Sequence, residues 1–232
     1  MWTIEPSSLG RIAVPPHVPD GFAVFCTTRD FYGRLNDDIA SDITRVVRER
    51  ANIDTSLTTC TQVHGKAVRK ADRETKWREC DSCDALWSEA KGVTLGIKIA
   101  DCLPVSMLDA ERRVIANVHS GWRGAVAGIT AEAIELMQPR DAYAYLGPSI
   151  RVCCFEVGEE VAEQFDAKFV DRTNAKPHVD LVAYTIDVLR ARGFRDERIF
   201  DSGLCTRCEG SVFHSYRRDG AGGGRNLAVI AQ

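Results

Sequence analysis

The chain has 232 residues, 44% of them hydrophobic and 27% charged, with 30 Lys+Arg against 33 Asp+Glu and a net charge of −3. That length and apolar content suffice for a real core and exclude disorder as the default; without a basic excess the chain is no general nucleic-acid binder, although a single nucleoside stays within reach. No apolar run approaches the roughly 18 to 20 residues of a membrane span, and no signal-peptide pattern opens the chain, so a cytoplasmic protein with no membrane partner is expected.

Residues 1–20 carry four prolines (Pro6, Pro15, Pro16, Pro19) and read as an extended lead-in to one domain over 1–232. Residues 21–28 predict a strand, with turn signals at Gly33 and Asn36–Asp38, and residues 39–51 a short helix on Ile43, Val46 and Val47. Residues 57–63 are β-rich, and 70–82 form a polar loop. Short strands are expected over 84–88, 93–99, 103–108 and 113–119, then a helix over 125–137 stopped by Pro139. A strand over 142–146, helices over 157–169 and 179–192, and strands over 211–218 and 227–230 around the Gly-rich turn complete the chain. Strands and helices alternate without a regular βαβ period, which predicts an α/β domain with a mixed sheet flanked by helices.

Nine cysteines is the unusual feature of the composition. An odd number in a chain expected in the cytosol argues for buried thiols, metal ligation or catalysis rather than disulfides. Three residues at predicted strand ends, His64, Cys102 and His119, sit beside Gly or Pro in QVHG, ADCLP and VHSGWRG. Two imidazoles and a thiolate suit Zn²⁺ in its open form, with water in the fourth position. There the ion lowers the water's pKa toward about 7. The spacing matches no metal signature by itself, and a strand-end His more often makes a structural hydrogen bond. Cys80-x-x-Cys83 and Cys205-x-x-Cys208 offer a rival Zn(Cys)₄ reading, but the pairs are far apart in sequence, and unligated thiols near a loop are the commoner outcome. Cys153 and Cys154 are read as reduced thiols on opposite faces of a strand.

The ordered strings TTRD, QVHG, SCDALW, IADCLPV, VHSGWRG, LGPSI…CCFEVG, DSGLCTRC and FHSYRRDG resemble the YfiH or laccase-domain family from about Thr27 to Ile230. The resemblance implies the α/β fold of putative cysteine hydrolases and a zinc held by His64, Cys102 and His119. It implies phosphorolysis of adenosine, inosine, guanosine and methylthioadenosine, with adenosine deamination; copper-dependent phenol oxidation and peptidoglycan editing are further family-level activities. TTRD–FYG lacks the Gly-Gly pair usual after TR, the 29–38 segment is shortened, and His214 replaces an apolar residue.

Deamination needs a carboxylate proton shuttle, for which Asp84 is preferred over Glu156, and either could instead be structural. Phosphorolysis needs cationic donors beside the ribose, and Arg123, in a Gly-flanked helix start, is placed for an anion. Arg29, Asn36, Arg217 and Arg218 are further substrate- or phosphate-binding candidates, with at most one of the last two facing inward on a strand. Phe213 and Tyr216 could stack on a base. A multicopper oxidase site needs more histidines than the five present, which favours zinc, with copper at the same ligands as the alternative cofactor. The non-enzymatic alternative is a zinc-stabilised interaction module, whose metal would be closed by a fourth protein ligand.

Overall fold

Two strands, Leu103–Asp109 and Val114–Ser120, are buried along their whole length, as happens when a strand is covered on both faces. The architecture follows from what covers them. The computed structural model describes residues 1–31, 39–75 and 82–232. In chain order its first elements are β1 (Thr3–Ser7), β2 (Gly10–Val14), β3 (Ala23–Thr27), α1 (Ile39–Ala51), β4 (Ser56–Thr58), β5 (Val68–Lys70), β6 (Ala85–Ser88) and β7 (Val93–Ile99). Then come β8 (Leu103–Asp109), β9 (Val114–Ser120), α2 (Trp122–Val126), α3 (Ile129–Met137), β10 (Ala142–Leu146) and α4 (Glu159–Ala162). The chain closes with β11 (Val170–Asp171), β12 (His178–Val179), α5 (Leu181–Ala191), β13 (Ile199–Asp201), α6 (Tyr216–Asp219) and β14 (Asn226–Ala231).

The mixed sheet of the sequence reading is divided in two. One six-stranded sheet runs β1-β2-β3-β14-β7-β4, the other β13-β10-β8-β9-β6-β5, and each mixes parallel and antiparallel pairs. Strand alternation assigns the layers. In β9, Val114, Ala116 and Val118 join a core with Ile129, Ala133 and Leu189 of the helices, whereas Ile115 joins Leu95 and Ile97 of β7 in the core that holds both sheets. In β3, Val24 and Cys26 enter that shared core, while Ala23 and Phe25 pack with Ile39, Ile43, Val46 and Val47 on the apolar face of α1. The order is helix, sheet, sheet, helices: a single α/β domain.

Several elements differ from the sequence reading. Residues 1–20 are more than a lead-in, because β1 and β2 pair antiparallel from Thr3↔Val14 to Ser7↔Gly10 and extend the first sheet. The helix expected over 125–137 starts earlier and breaks at Gly128, whose φ of 84° leaves the helical region. The helix expected over 157–169 shrinks to α4 and a 3₁₀ turn at Ala167–Phe169. The one expected over 179–192 starts at Leu181, where the Asp180 carboxylate accepts from the Ala183 N–H at 2.9 Å. The strand expected over 57–63 stops at Thr58. The strand expected over 211–218 is replaced by turns and α6, since Ser215 caps the Arg218 N–H and Asp101 accepts the Arg217 N–H at 2.6 Å. Cys153 and Cys154 lie in a turn rather than on strand faces. The turn signals at Gly33 and Asn36–Asp38, Cys80, and the 76–81 part of the polar loop lie outside the described residues.

Candidate metal centre

β9 carries His119 at its buried end, and β8 starts one residue after Cys102. Because β8 and β9 pair with Pro104 opposite His119, the thiol and imidazole reach the same end of the second sheet. His64 arrives on the loop between β4 and β5, held at a φ of 60° that is uncommon for a residue with a side chain. What holds it there is Asp84, fully buried just before β6. Its carboxylate accepts the successive backbone N–H groups of Val63, His64 and Gly65 at 3.2, 2.9 and 2.8 Å. Its Oδ1 also lies 2.7 Å from Nδ1 of His119, which leaves Nε2 of that ring for the cluster.

The ligand atoms of His64, Cys102 and His119 all lie within 4.8 Å of one another. A tetrahedral Zn²⁺ with bonds of about 2.0 to 2.3 Å sets its donors roughly 3.3 to 3.8 Å apart, so the three fit that ion with little movement. The space is kept by Gly121, where a Cβ would stand 3.0 Å from Cys102 Sγ and 3.5 Å from the His64 ring. Burial opposes ionisation of Cys102, but the neighbouring His119 and His64 donors outweigh it and bring the thiol down to about 6. Burial likewise opposes charge on His119, and the bonds to Asp84 and Cys102 overcome it, raising the imidazolium to about 9. The surroundings thus favour the thiolate form of Cys102, the form that ligates a metal ion.

The cluster opens into a cavity of about 720 Å³, within the range of small-molecule sites. Its wall combines Trp122, Phe155 and Tyr216 with the cations Lys98, Arg123, Arg217 and Arg225. The Arg123 guanidinium lies 4.2 Å over the Trp122 ring. Arg217 lines the cavity while donating from Nη1 to the Glu156 carbonyl at 2.9 Å. Asp101 is the carboxylate among the lining residues; at a φ of 89° it accepts from Thr206 Oγ1 and the Arg217 N–H, both at 2.6 Å. A cleft of similar size, about 770 Å³, lies beside Pro15–Pro19, Glu49 and Arg50. His64, Cys102 and His119 do not line it, so volume alone does not choose the site.

Other sequence candidates go elsewhere. The Glu156 carboxylate pairs with Lys176 at 2.9 Å on the surface, away from the cavity wall. Asp84 is spent on its four donors and does not line the cavity. Arg29 binds the Gly210 carbonyl. Arg218 ties the carbonyls of Thr206, Arg207 and Phe213 and pairs with Asp219 at 2.7 Å. Arg217 and Arg218 thus diverge on a short helix, not a strand. Phe213 is a core residue, and Asn36 lies outside the described residues. Lys98, Arg225 and Asp101 were missed; of these only Asp101 had a signal, its place in ADCLP.

Residues 34–232 match the family model described as multi-copper polyphenol oxidoreductase laccase. A purine nucleoside phosphorylase of Deinococcus radiodurans is 36% identical, covering 86% of this chain and 82% of that protein. Adenosine deaminase RL5, from an unknown prokaryotic organism, is 31% identical over 91% of this chain and 94% of its own length. The crystal structure of YlmD from Geobacillus stearothermophilus superposes with a TM-score of 0.81 at 25% identity, covering 99% of this chain and 98% of that one. No described helix is long and apolar enough to cross a membrane. By family model, relatives and fold, the chain belongs to the YfiH or laccase-domain family, among whose members are proteins named as purine nucleoside phosphorylases.

Proposed function

We propose that this chain is a zinc-dependent purine nucleoside enzyme whose principal reaction is phosphorolysis. The observation that carries this reading is the opening of the His64, Cys102 and His119 cluster into a cavity lined by both aromatic rings and several cations. The aromatic rings suit the flat faces of a purine, and Arg123, Arg217 and Arg225 suit a phosphate beside the ribose. In the reaction a phosphate oxygen bonds to C1′ as the C1′–N9 bond breaks. The purine leaves with that electron pair and takes a proton from water. Zinc held by the three ligands would supply Lewis-acid polarisation. The chain's own work is to desolvate and align phosphate and ribose, which converts a bimolecular encounter into a positioned one. Asp84 acts in this reading as a positioning residue for His64 and His119, not as a proton shuttle.

Deamination of adenosine to inosine and ammonia is the second reading, favoured by the His/Cys donor set and by the relative named for that activity. It lacks an obvious shuttle, because both oxygens of Asp101 are already engaged. Copper at the same ligands is the weaker choice of metal, since the 232 residues hold five histidines and His17 packs against Tyr143 and Phe200, far from a multicopper arrangement. A cytoplasmic location accompanies the reading, because a chain with this many free cysteines keeps its thiols reduced most readily in a reducing compartment.

The deciding experiment incubates zinc-loaded protein with adenosine, with and without phosphate. Phosphate-dependent adenine and ribose-1-phosphate are expected; inosine in both arms would move the assignment to deamination, and no product in either arm would overturn the enzymatic reading. His119→Ala is expected to abolish turnover with the circular dichroism spectrum preserved.

A further inference from the structure

We infer that Cys153, Cys154, Cys205 and Cys208 form a second metal site, a closed tetrathiolate centre for one Zn²⁺-class ion. Strands β10 and β13 run parallel as neighbours, Ala144↔Ile199 to Leu146↔Asp201, so the chain leaves both at the same end. The bridge Ser149↔Cys205 carries the alignment onward. It brings a turn with adjacent cysteines against a C-x-x-C turn, and all four Sγ atoms lie within 4.8 Å of one another. Measured separations are 3.7 Å for Cys153–Cys154, 3.9 Å for Cys153–Cys208 and 3.4 Å for Cys154–Cys208. A tetrahedral ion with Zn–S bonds of about 2.3 Å has S···S edges of roughly 3.8 Å. The sulfurs therefore share one centre rather than pairing two and two.

Backbone hydrogen bonds hold the two turns in place: the Thr206 N–H donates to the Ser149 carbonyl at 3.0 Å, the Cys154 N–H to the Arg151 carbonyl at 2.8 Å and the Glu209 N–H to the Cys205 carbonyl at 2.9 Å. With four thiolates the coordination of Zn²⁺ is complete, so this centre is structural, in contrast to the three-ligand cluster of the cavity. Binding releases the thiol protons to solvent and changes no oxidation state. The site pins residues 149–156 to 205–217, the two segments that supply Ile150, Phe155, Tyr216 and Arg217 to the cavity wall. Arg217 already reaches across this seam to the carbonyls of Cys154 and Glu156 at 3.5 and 2.9 Å.

Because Cys153 and Cys208 are exposed, a maleimide reaches free thiols there, the metal-free chain sets the baseline rate, and peptide mapping reads each position by itself. In the full chain saturated with Zn²⁺, labelling at both is expected to slow by about tenfold or more. A chelator should restore it, and a phosphine reductant alone should not. The His64→Ala/His119→Ala double variant should keep one zinc per chain, where the wild type holds two. Full-rate labelling in the zinc-saturated chain overturns the proposal, as does protection lifted by the reductant alone, which would mean disulfides. So does a wild type holding one zinc that the double variant loses. In the wild type loaded with Cd²⁺, ¹¹³Cd NMR should resolve a tetrathiolate resonance from a mixed His/Cys one, and a mixed resonance alone would also overturn it.

Discussion

Asp84 sets the position of two of the three converging ligands. Its carboxylate fixes the His119 ring through Nδ1 and the turn at His64 through three N–H groups, and serving these four partners with both oxygens takes an acceptor-only, ionised side chain. Asp84→Asn keeps the shape but presents a donor to some of these partners. Zinc affinity, measured by competition with a chromophoric chelator, is expected to fall about 10- to 100-fold. A purely structural role would lower the urea midpoint of the metal-free protein and leave zinc affinity unchanged, and that outcome would remove Asp84 from the site. The burial of this residue explains why the sequence could suggest it but not its task. Nearness in sequence to a strand made Asp84 a proton-shuttle candidate, while its partners come from about twenty and thirty-five positions away. His64, Cys102 and His119 were legible because each stands in a distinctive string, although His64 lies on a loop rather than at the strand end expected for it. Lys98 and Arg225 were not, since a cation on a cavity wall looks like any solvated cation until the chain is folded. The tetrathiolate cluster was hidden because its cysteines come from a turn read as a strand and a C-x-x-C with no partner in view.

Elements are fastened at their ends by a similar device. Asp109, fully buried at the end of β8, accepts the backbone N–H groups of Arg112, Arg140 and Asp141 at 3.0, 2.7 and 3.2 Å. It thereby joins the β8–β9 turn to the connection between α3 and β10. Burial works against its charge, yet the backbone donors prevail and hold the carboxyl below its usual value. A depressed carboxylate stabilises the fold above its unfolded pKa of about 3.9, and that stability is lost as pH falls through the lower folded value. Unfolding midpoints of the wild type should therefore decline on acidification below about pH 4. Asp109→Asn should cost about 1 to 3 kcal/mol at neutral pH and show a shallower acid slope; equal slopes would exclude Asp109 as a source of acid sensitivity. Strands such as β7 and β10 and helix α1 were readable because their apolar period is long and regular. The interruptions were less so. Gly128 breaks a continuous helical period, and 211–218 alternates like a strand but is claimed by the cap at Ser215 and the acceptor at Asp101, both tertiary or local hydrogen bonds that periodicity does not encode.

For the whole molecule the central question is what makes two sheets one unit, and Asn117 gives a polar answer inside an apolar layer. From the middle of β9 its Nδ2 donates to the carbonyls of Leu95 in β7 and Ala228 in β14, both at 2.9 Å, while its Oδ1 accepts from Ser106 in β8 at 3.0 Å. The side chain is fully buried, so every one of these bonds is made without competition from water. Apolar packing between the sheets would tolerate sliding by a residue; an amide reaching two particular carbonyls fixes their offset. Asn117→Ala removes three bonds and leaves a void, and is expected to cost about 2 to 4 kcal/mol. Ser106→Ala should cost about 1 kcal/mol, and the double variant less than the sum, because the Ser106 hydroxyl is already stranded once Asn117 is gone. Urea denaturation should show a lower midpoint with an unchanged slope, since the apolar layer still makes the sheets unfold together. A cost below about 0.5 kcal/mol for Asn117→Ala would place it among ordinary surface-like changes and assign the register to packing alone. His119 stands two residues along the same face of β9, but Asp84 holds its ring independently. Zinc affinity of the Asn117→Ala protein should consequently stay close to wild type while its stability falls, which separates the fastening of the sheets from the building of the site.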